Sequence, residues 1–133
     1  MPTTYAVFAE QHSLKLSAER VSENPNLTSR WDADHWRVTL RHKRKSMSVY
    51  FSLGYGHEGK QPTLVDVLCC LALDASTIEQ AESFESWADE FGMDTDSRDA
   101  EKTFKHCRKQ AKRLRSFLGD SMFDTLLSAE EDA

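Results

Sequence analysis

The chain has 133 residues and a formal net charge of −5, with three Trp, three Tyr and seven Phe to build a core. This acidic balance argues against general nucleic-acid binding by the whole surface. Three cysteines, two of them adjacent at Cys69 and Cys70, make a poor disulfide framework. No apolar run approaches the roughly 18 residues of a membrane span, and residues 1–10 lack the pattern of a signal peptide. We therefore expect a cytoplasmic protein, in its own cell or in a bacterial host.

The first half of the chain has the patterning of strands. Apolar and polar residues alternate over residues 36–41 and again over 47–53, separated by a polar turn over 42–45, which predicts a β-hairpin. Two earlier strands are expected, at Tyr5 to Ala9 and at Leu14 to Ala18. The sheet should therefore be antiparallel and contain three or four strands.

The second half of the chain predicts helices. Thr63 and Asp66 form a capping-box pair before an apolar run that ends at Leu73, so the first of these helices should be central and buried. A second helix is expected from a Ser83 cap to Phe91, where Gly92 is a good stop.

A third and a fourth helix follow. Apolar residues recur at steps of four and three between a cap at Asp96 or Ser97 and a stop at Gly119. A short helix over residues 122–127 precedes an acidic tail at 129–133 that should be frayed. Strands followed by helices indicate an α+β fold in one domain over 1–133, with residues 1–54 mainly β and 63–128 mainly α.

Charge is segregated along the chain. Residues 61–97 contain no Lys or Arg and nine acids, whereas residues 98–115 contain eight Lys or Arg and two acids. Such segregation can reflect helix-end preferences or pairing inside the fold. It can instead mark a surface for a partner, and the acidic candidates, here called the acidic band, are Glu79, Glu82, Glu85, Asp89, Glu90, Asp94 and Asp96.

The basic residues offer a different interface. The hairpin turn and the third helix could contact phosphates, as in a small nucleic-acid-binding protein. The candidate residues are Arg41, Lys43, Arg44, Lys45, Lys105, Lys109 and Lys112.

Motifs for catalysis or ligand binding are incomplete. Gly54, Gly56 and Gly59 satisfy the spacing of a dinucleotide-binding loop, and Lys60 makes a near match to a P-loop, but no parallel strand follows. The loop is better interpreted as a flexible connection whose tip could contact a partner. No cysteine or histidine pair has zinc-site spacing. We expect no catalytic residues, no cofactor and no metal, and a small metal- or nucleotide-dependent enzyme is a third alternative.

The run from Asp94 to Lys105, together with residues 37–40 and the loop 54–62, resembles small proteins of phages and prophages over residues 36–127. Small acidic phage proteins include many anti-CRISPR inhibitors. The resemblance implies a non-catalytic inhibitor that binds a bacterial effector complex of the Cas type. Its acidic band would act as a DNA mimic and block nucleic-acid access, and the inhibitor could be a monomer or a homodimer.

Overall fold

Three antiparallel strands and five helices make up the described part of a computed structural model of the chain. The described residues are 3–25, 34–53, 60–81, 83–90, 92 and 98–131, without the side chains of Glu90 and Asp99. The elements in chain order are α1 (Tyr5–Gln11), β1 (Lys15–Val21), β2 (Asp34–His42), β3 (Lys45–Leu53), α2 (Leu64–Gln80), α3 (Phe84–Glu90), α4 (Arg98–Leu118) and α5 (Asp120–Leu127). The predicted α+β class is confirmed.

The sheet has the order β1-β2-β3, and both pairings are antiparallel. Val38 lies opposite both Ala18 and Val49, so apolar residues of all three strands share one face. Val38 and Leu40 are fully buried on that face, while Arg37 and Arg41, on the other face, are exposed. The hairpin predicted from alternation is therefore confirmed, and its apolar face is covered by helices.

The segment from Tyr5 to Ala9 is a helix, so the strand predicted there is wrong. Thr4 begins α1, because its hydroxyl accepts a hydrogen bond of 3.2 Å from the backbone N–H of Val7. Tyr5, Phe8 and Ala9 are buried, and their spacing of three and four residues matches one side of a helix. A short apolar run does not distinguish the two periods, and the Thr4 cap decides between them here. The strand predicted at Leu14 to Ala18 is confirmed as β1.

Helix α2 begins at the predicted capping box. The Thr63 hydroxyl accepts from the N–H of Asp66 at 3.1 Å, and the Asp66 carboxylate accepts from the N–H of Thr63 at 3.4 Å. Val67, Leu68 and Leu71 are buried in the core, but Leu73 is 55% exposed. The apolar composition predicted a helix that is central and buried. The helix is central, but one side of it is exposed.

Helix α4 ends at Gly119, as predicted. The glycine has φ +86° and ψ 157°, a conformation in which any residue with a Cβ is strained, and its N–H donates to the Arg115 carbonyl at 2.7 Å. The chain reverses there into α5, whose Phe123 and Leu126 are fully buried. These two side chains join α1, α2, the sheet and the C-terminal half of α4 in one cluster, the main core.

Helix α3 packs outside the main core. Ser83 caps it by accepting from the N–H of Ser86 at 3.1 Å, which confirms the predicted start. The ring centroids of Phe84 and Trp87 lie 5.3 and 5.2 Å, respectively, from that of Phe104 in α4. These three rings form the aromatic cluster. No described residue of α3 belongs to the main core.

The end of the described chain is tied to its start. Glu130, which we expected in a frayed acidic tail, donates its N–H to the Thr3 carbonyl at 2.8 Å. Its own carbonyl accepts from the N–H of Tyr5 at 3.2 Å. Two backbone hydrogen bonds therefore hold Glu130 in place, although its acidic sequence neighbourhood suggested fraying. Among the described residues, no helix is long and apolar enough to cross a membrane.

Candidate nucleic-acid interface

The β2–β3 turn presents three consecutive basic side chains. His42 pairs with Lys45, so the predicted four-residue turn has only Lys43 and Arg44 at its tip. Lys43, Arg44 and Lys45 are all exposed. Lys43 has φ +56°, a conformation that Gly or Asn adopts with less strain. A lysine at this position therefore supplies positive charge at a conformational cost.

The solvent side of α4 carries the second basic group. Its members recur at steps of one, three and four residues, which places them on one side of a helix whose opposite side is buried against the core. All are exposed, and they are Lys105, Arg108, Lys109, Lys112 and Arg113.

These two groups meet where the last turns of α4 pass the edge of β3. The Lys45 ammonium donates to the Ser116 carbonyl at 3.2 Å, and the Arg113 guanidinium donates to the Ser48 carbonyl at 3.0 Å. An open cleft lies between the two elements. We call it the basic cleft, and its lining residues are Lys45, Ser46, Met47, Lys109, Lys112, Arg113, Ser116 and Phe117.

The basic surface continues beyond this cleft in both directions. Toward the turn, a second hollow is lined by residues 42–45 together with Phe117, Leu118 and Met122. Toward the start of α4, a third hollow is lined entirely by basic side chains, namely Lys105, Arg108, Lys109 and Lys112. The positive surface therefore runs along α4 and around the hairpin turn without an intervening acidic lining residue.

Carboxylates do not neutralise this surface within the described part of the chain. The salt bridges there involve only Arg20, Lys105 and Arg115 among the basic residues. Lys105 pairs with Glu101 of the same helix at 2.9 Å, and both side chains remain largely exposed. No cation of the basic cleft is therefore in a salt bridge with a described carboxylate.

Two histidines lie at the base of the turn. The rings of His12 and His42 are 6.5 Å apart, and Phe117 contacts His42 from α4 at 6.3 Å between centroids. Burial lowers the pKa of His42, and its electrostatic interactions with Lys43, His12 and Lys45 lower it further. His42 therefore gains its proton less readily than an ordinary imidazole.

The acidic band is only partly described. Glu79 lies 3.1 Å from Arg115, which also contacts Asp120 at 3.4 Å, so this acid is paired inside the fold. Glu85 and Asp89 are exposed on α3, one turn apart. The remaining members lie outside the described residues or have undescribed side chains, and they are Glu82, Glu90, Asp94 and Asp96.

Cys70 and Cys107 lie near the half-buried carboxyl group of Asp74. Cys70 lies 3.9 Å from Asp74, and burial, aided by the Asp74 charge, raises the pKa of this thiol to about 12. Burial also raises the pKa of Cys107 to about 11 and the pKa of Asp74 above its usual range. These thiols are protonated and weakly nucleophilic at neutral pH. No group of three potential metal ligands occurs among the described residues.

The sequence prediction of the basic interface was incomplete. Arg41, a predicted member, lies on the outer face of the sheet opposite Lys15 and Ser46 and does not line the basic cleft. Arg108 and Arg113 were missed. The spacing carried a signal for Arg113, since it follows Lys109 by four residues on the same side of α4. The glycine-rich loop over residues 54–59, with its expected contact tip, lies outside the described residues.

Comparisons with known proteins found no relative of this chain. No protein-family model matches the chain, and neither a curated protein nor a solved structure matches it.

Proposed function

We propose that this protein binds nucleic acid and that the basic cleft holds the phosphate backbone. The observation that carries the proposal is that Lys45 lines the same cleft as Lys109 and Lys112, which lie on a helix far along the chain. None of the three is in a salt bridge with a described carboxylate. Clustered like charges repel one another, and a polyanion in the cleft would relieve that repulsion.

The chemistry of the cleft suits phosphates. Lysine ammonium groups act as mobile point charges, whereas a guanidinium can grip two phosphate oxygens at once. Arg113 is held at the cleft by its bond to the Ser48 carbonyl, which orients its guanidinium before a ligand arrives. The net charge of −5 does not oppose this function, because the acids concentrate in residues 61–97 and the bases in 98–115.

Salt dependence tests the proposal directly. We expect a labelled single-stranded oligonucleotide to bind more weakly as salt rises from about 50 to about 200 mM, with a log–log slope of roughly −0.7 for each phosphate contact. The Lys109→Glu/Lys112→Glu variant should bind much more weakly and with a shallower slope. Arg98→Glu/Lys102→Glu, at two exposed positions on the same helix outside the basic cleft, changes the net charge equally and is the matched control. Equal losses of affinity in both variants would mean that the net charge of the protein, and not the basic cleft, controls binding.

Lys43 offers a second test that separates binding from stability. Replacing it with glycine removes a charge and also relieves the left-handed strain, worth about 1 kcal/mol. Lys43→Gly should therefore unfold at a higher temperature and still bind oligonucleotides more weakly. A variant that is more stable and binds unchanged would remove the turn from the interface.

The second candidate is the inhibitor of a bacterial defence complex, acting through the acidic band. The observation that favours it is the exposed pair Glu85 and Asp89 on α3, neither of which is in a salt bridge with a described residue. Carboxylates spaced along such a surface can occupy positions that phosphates take on a basic partner.

This candidate predicts inhibition of a Cas-type surveillance complex in a DNA-binding assay. Glu85→Lys/Asp89→Lys should abolish the inhibition and leave the thermal midpoint nearly unchanged. Glu130→Lys is a control outside the acidic band, at an exposed side chain whose hydrogen bonds are made by the backbone. If the α3 variant inhibits fully, or if only nuclease-sensitive material binds the protein in lysate, the acidic mechanism is wrong.

A further inference from the structure

The outer face of the sheet carries an exposed aromatic ring among the described residues. Alternation places one set of residues from each strand on this face, away from the helices. Tyr50 is 38% exposed there and lies directly opposite Arg37 in the register. Its neighbours along β3 on the same face are Ser48 and Ser52. Small side chains therefore flank the ring along the strand.

This ring is adjacent to the basic cleft. Arg113 donates to the carbonyl of Ser48, and Tyr50 follows Ser48 by two residues, a distance of about 7 Å along a strand. Ser46, two residues before Ser48, lines the cleft itself. Tyr50 therefore lies on the same strand as the cleft residue Ser46 and the carbonyl that binds Arg113.

The same face carries an unfavourable charge pair. Lys15 and Arg41 are direct cross-strand partners, and both are exposed. Like charges directly opposite in a sheet are destabilising, and a bound anion would offset that repulsion. Arg41 also pairs in register with Ser46 of the cleft. Arg41 thus places positive charge beside the cleft on the face that holds Tyr50, while Glu19 lies opposite Arg37 on the same face.

We propose that the ligand of this site is single-stranded nucleic acid, with phosphates in the basic cleft and a base stacked on Tyr50. The proposal rests on the proposed nucleic-acid binding and specifies its ligand class. In a duplex the bases are stacked on each other, so their faces are closed to a tyrosine on a sheet. An unpaired base offers its face to an aromatic ring regardless of sequence, which predicts weak sequence preference.

Tyr50 variants test this assignment. Fluorescence anisotropy would measure the affinity of a labelled single strand of about 16 nucleotides, and of the matching duplex, at one low salt concentration. Tyr50→Ala should weaken single-strand binding roughly tenfold, and Tyr50→Phe should retain it because the ring remains. Duplex affinity should be weaker than single-strand affinity in the wild type and unaffected by Tyr50→Ala. Thermal unfolding of both variants checks that the exposed position leaves the fold intact.

The outcomes separate the two proposals. If Lys109→Glu/Lys112→Glu weakens binding but Tyr50→Ala does not, the cleft binds phosphates and the stacking assignment is overturned. Tighter binding to duplex than to single strand would overturn the assignment in the same way. If no oligonucleotide binds at low salt, or if only anionic lipid vesicles or an acidic peptide bind, the proposed function itself fails.

Discussion

The main core and the aromatic cluster are both built on α4, yet they differ in how many elements support them. The main core joins the sheet, α1, α2 and α5 to the C-terminal half of α4. Among the described residues, the aromatic cluster joins α3, a seven-residue helix, to Phe104 of α4. Because none of the described α3 residues belongs to the main core, α3 should open more readily than the rest of the described fold.

The largest expected effect lies in the main core. Phe8 is fully buried, and Phe8→Ala should lower the free energy of unfolding by about 3–5 kcal/mol, because it removes the ring and leaves a cavity. Denaturant unfolding followed by circular dichroism measures this loss. Val7→Ala on the same helix, where the side chain is 43% exposed, should change stability far less. A small loss at Phe8 would mean that α1 contributes little to the main core.

A smaller and more local effect is expected in the aromatic cluster. Phe104 is only half-buried, and Phe104→Ala should cost about 2 kcal/mol. Most of this loss should appear as faster amide exchange in α3, with protection in α2 largely preserved. Hydrogen exchange read by mass spectrometry resolves the two helices. Equal loss of protection in both would show that the cluster and the main core unfold as one unit.

Gly119 joins α4 to α5, both of which reach the main core. Gly119→Ala should cost about 1 kcal/mol, because φ is +86° and the strain arises from the backbone alone. No atom lies within 4 Å of the position that an added Cβ would occupy. Gly119→Asn should cost about as much, since φ +86° with ψ 157° lies outside the αL region that Asn tolerates. An alanine variant as stable as wild type would contradict the observed conformation.

The smallest expected effect concerns Asp74. Burial raises its pKa in the folded state, so the folded protein binds a proton more tightly than the unfolded chain. Stability should therefore fall as pH rises from the unfolded value through the folded one. Asp74→Asn should raise the thermal midpoint at pH 7, and the gain should vanish in acid. Asp124→Asn, at an exposed helical position, should show neither change.

Local patterns anticipated most elements of the fold. The capping box at Thr63, the alternation in the hairpin and the stop at Gly119 act over a few residues, and each is found as predicted. The segment from Tyr5 to Ala9 was assigned to a strand, because a five-residue apolar run fits either period and only its Thr4 cap distinguishes them. The held position of Glu130 depends on contact with the N-terminus, which no local pattern contains.

The sequence by itself determined the α+β class and the separation of acidic from basic segments. It named most of the basic candidates as well, because exposed cations at helical spacing follow from periodicity. Only the tertiary structure decided that Lys45 reaches Ser116, 71 positions along the chain, and that Arg113 reaches the edge of β3. Both contacts depend on how α4 packs against the sheet. That packing follows from the burial of apolar side chains throughout the main core. The same packing pairs Glu79 with Arg115 and leaves the cations of the basic cleft facing solvent.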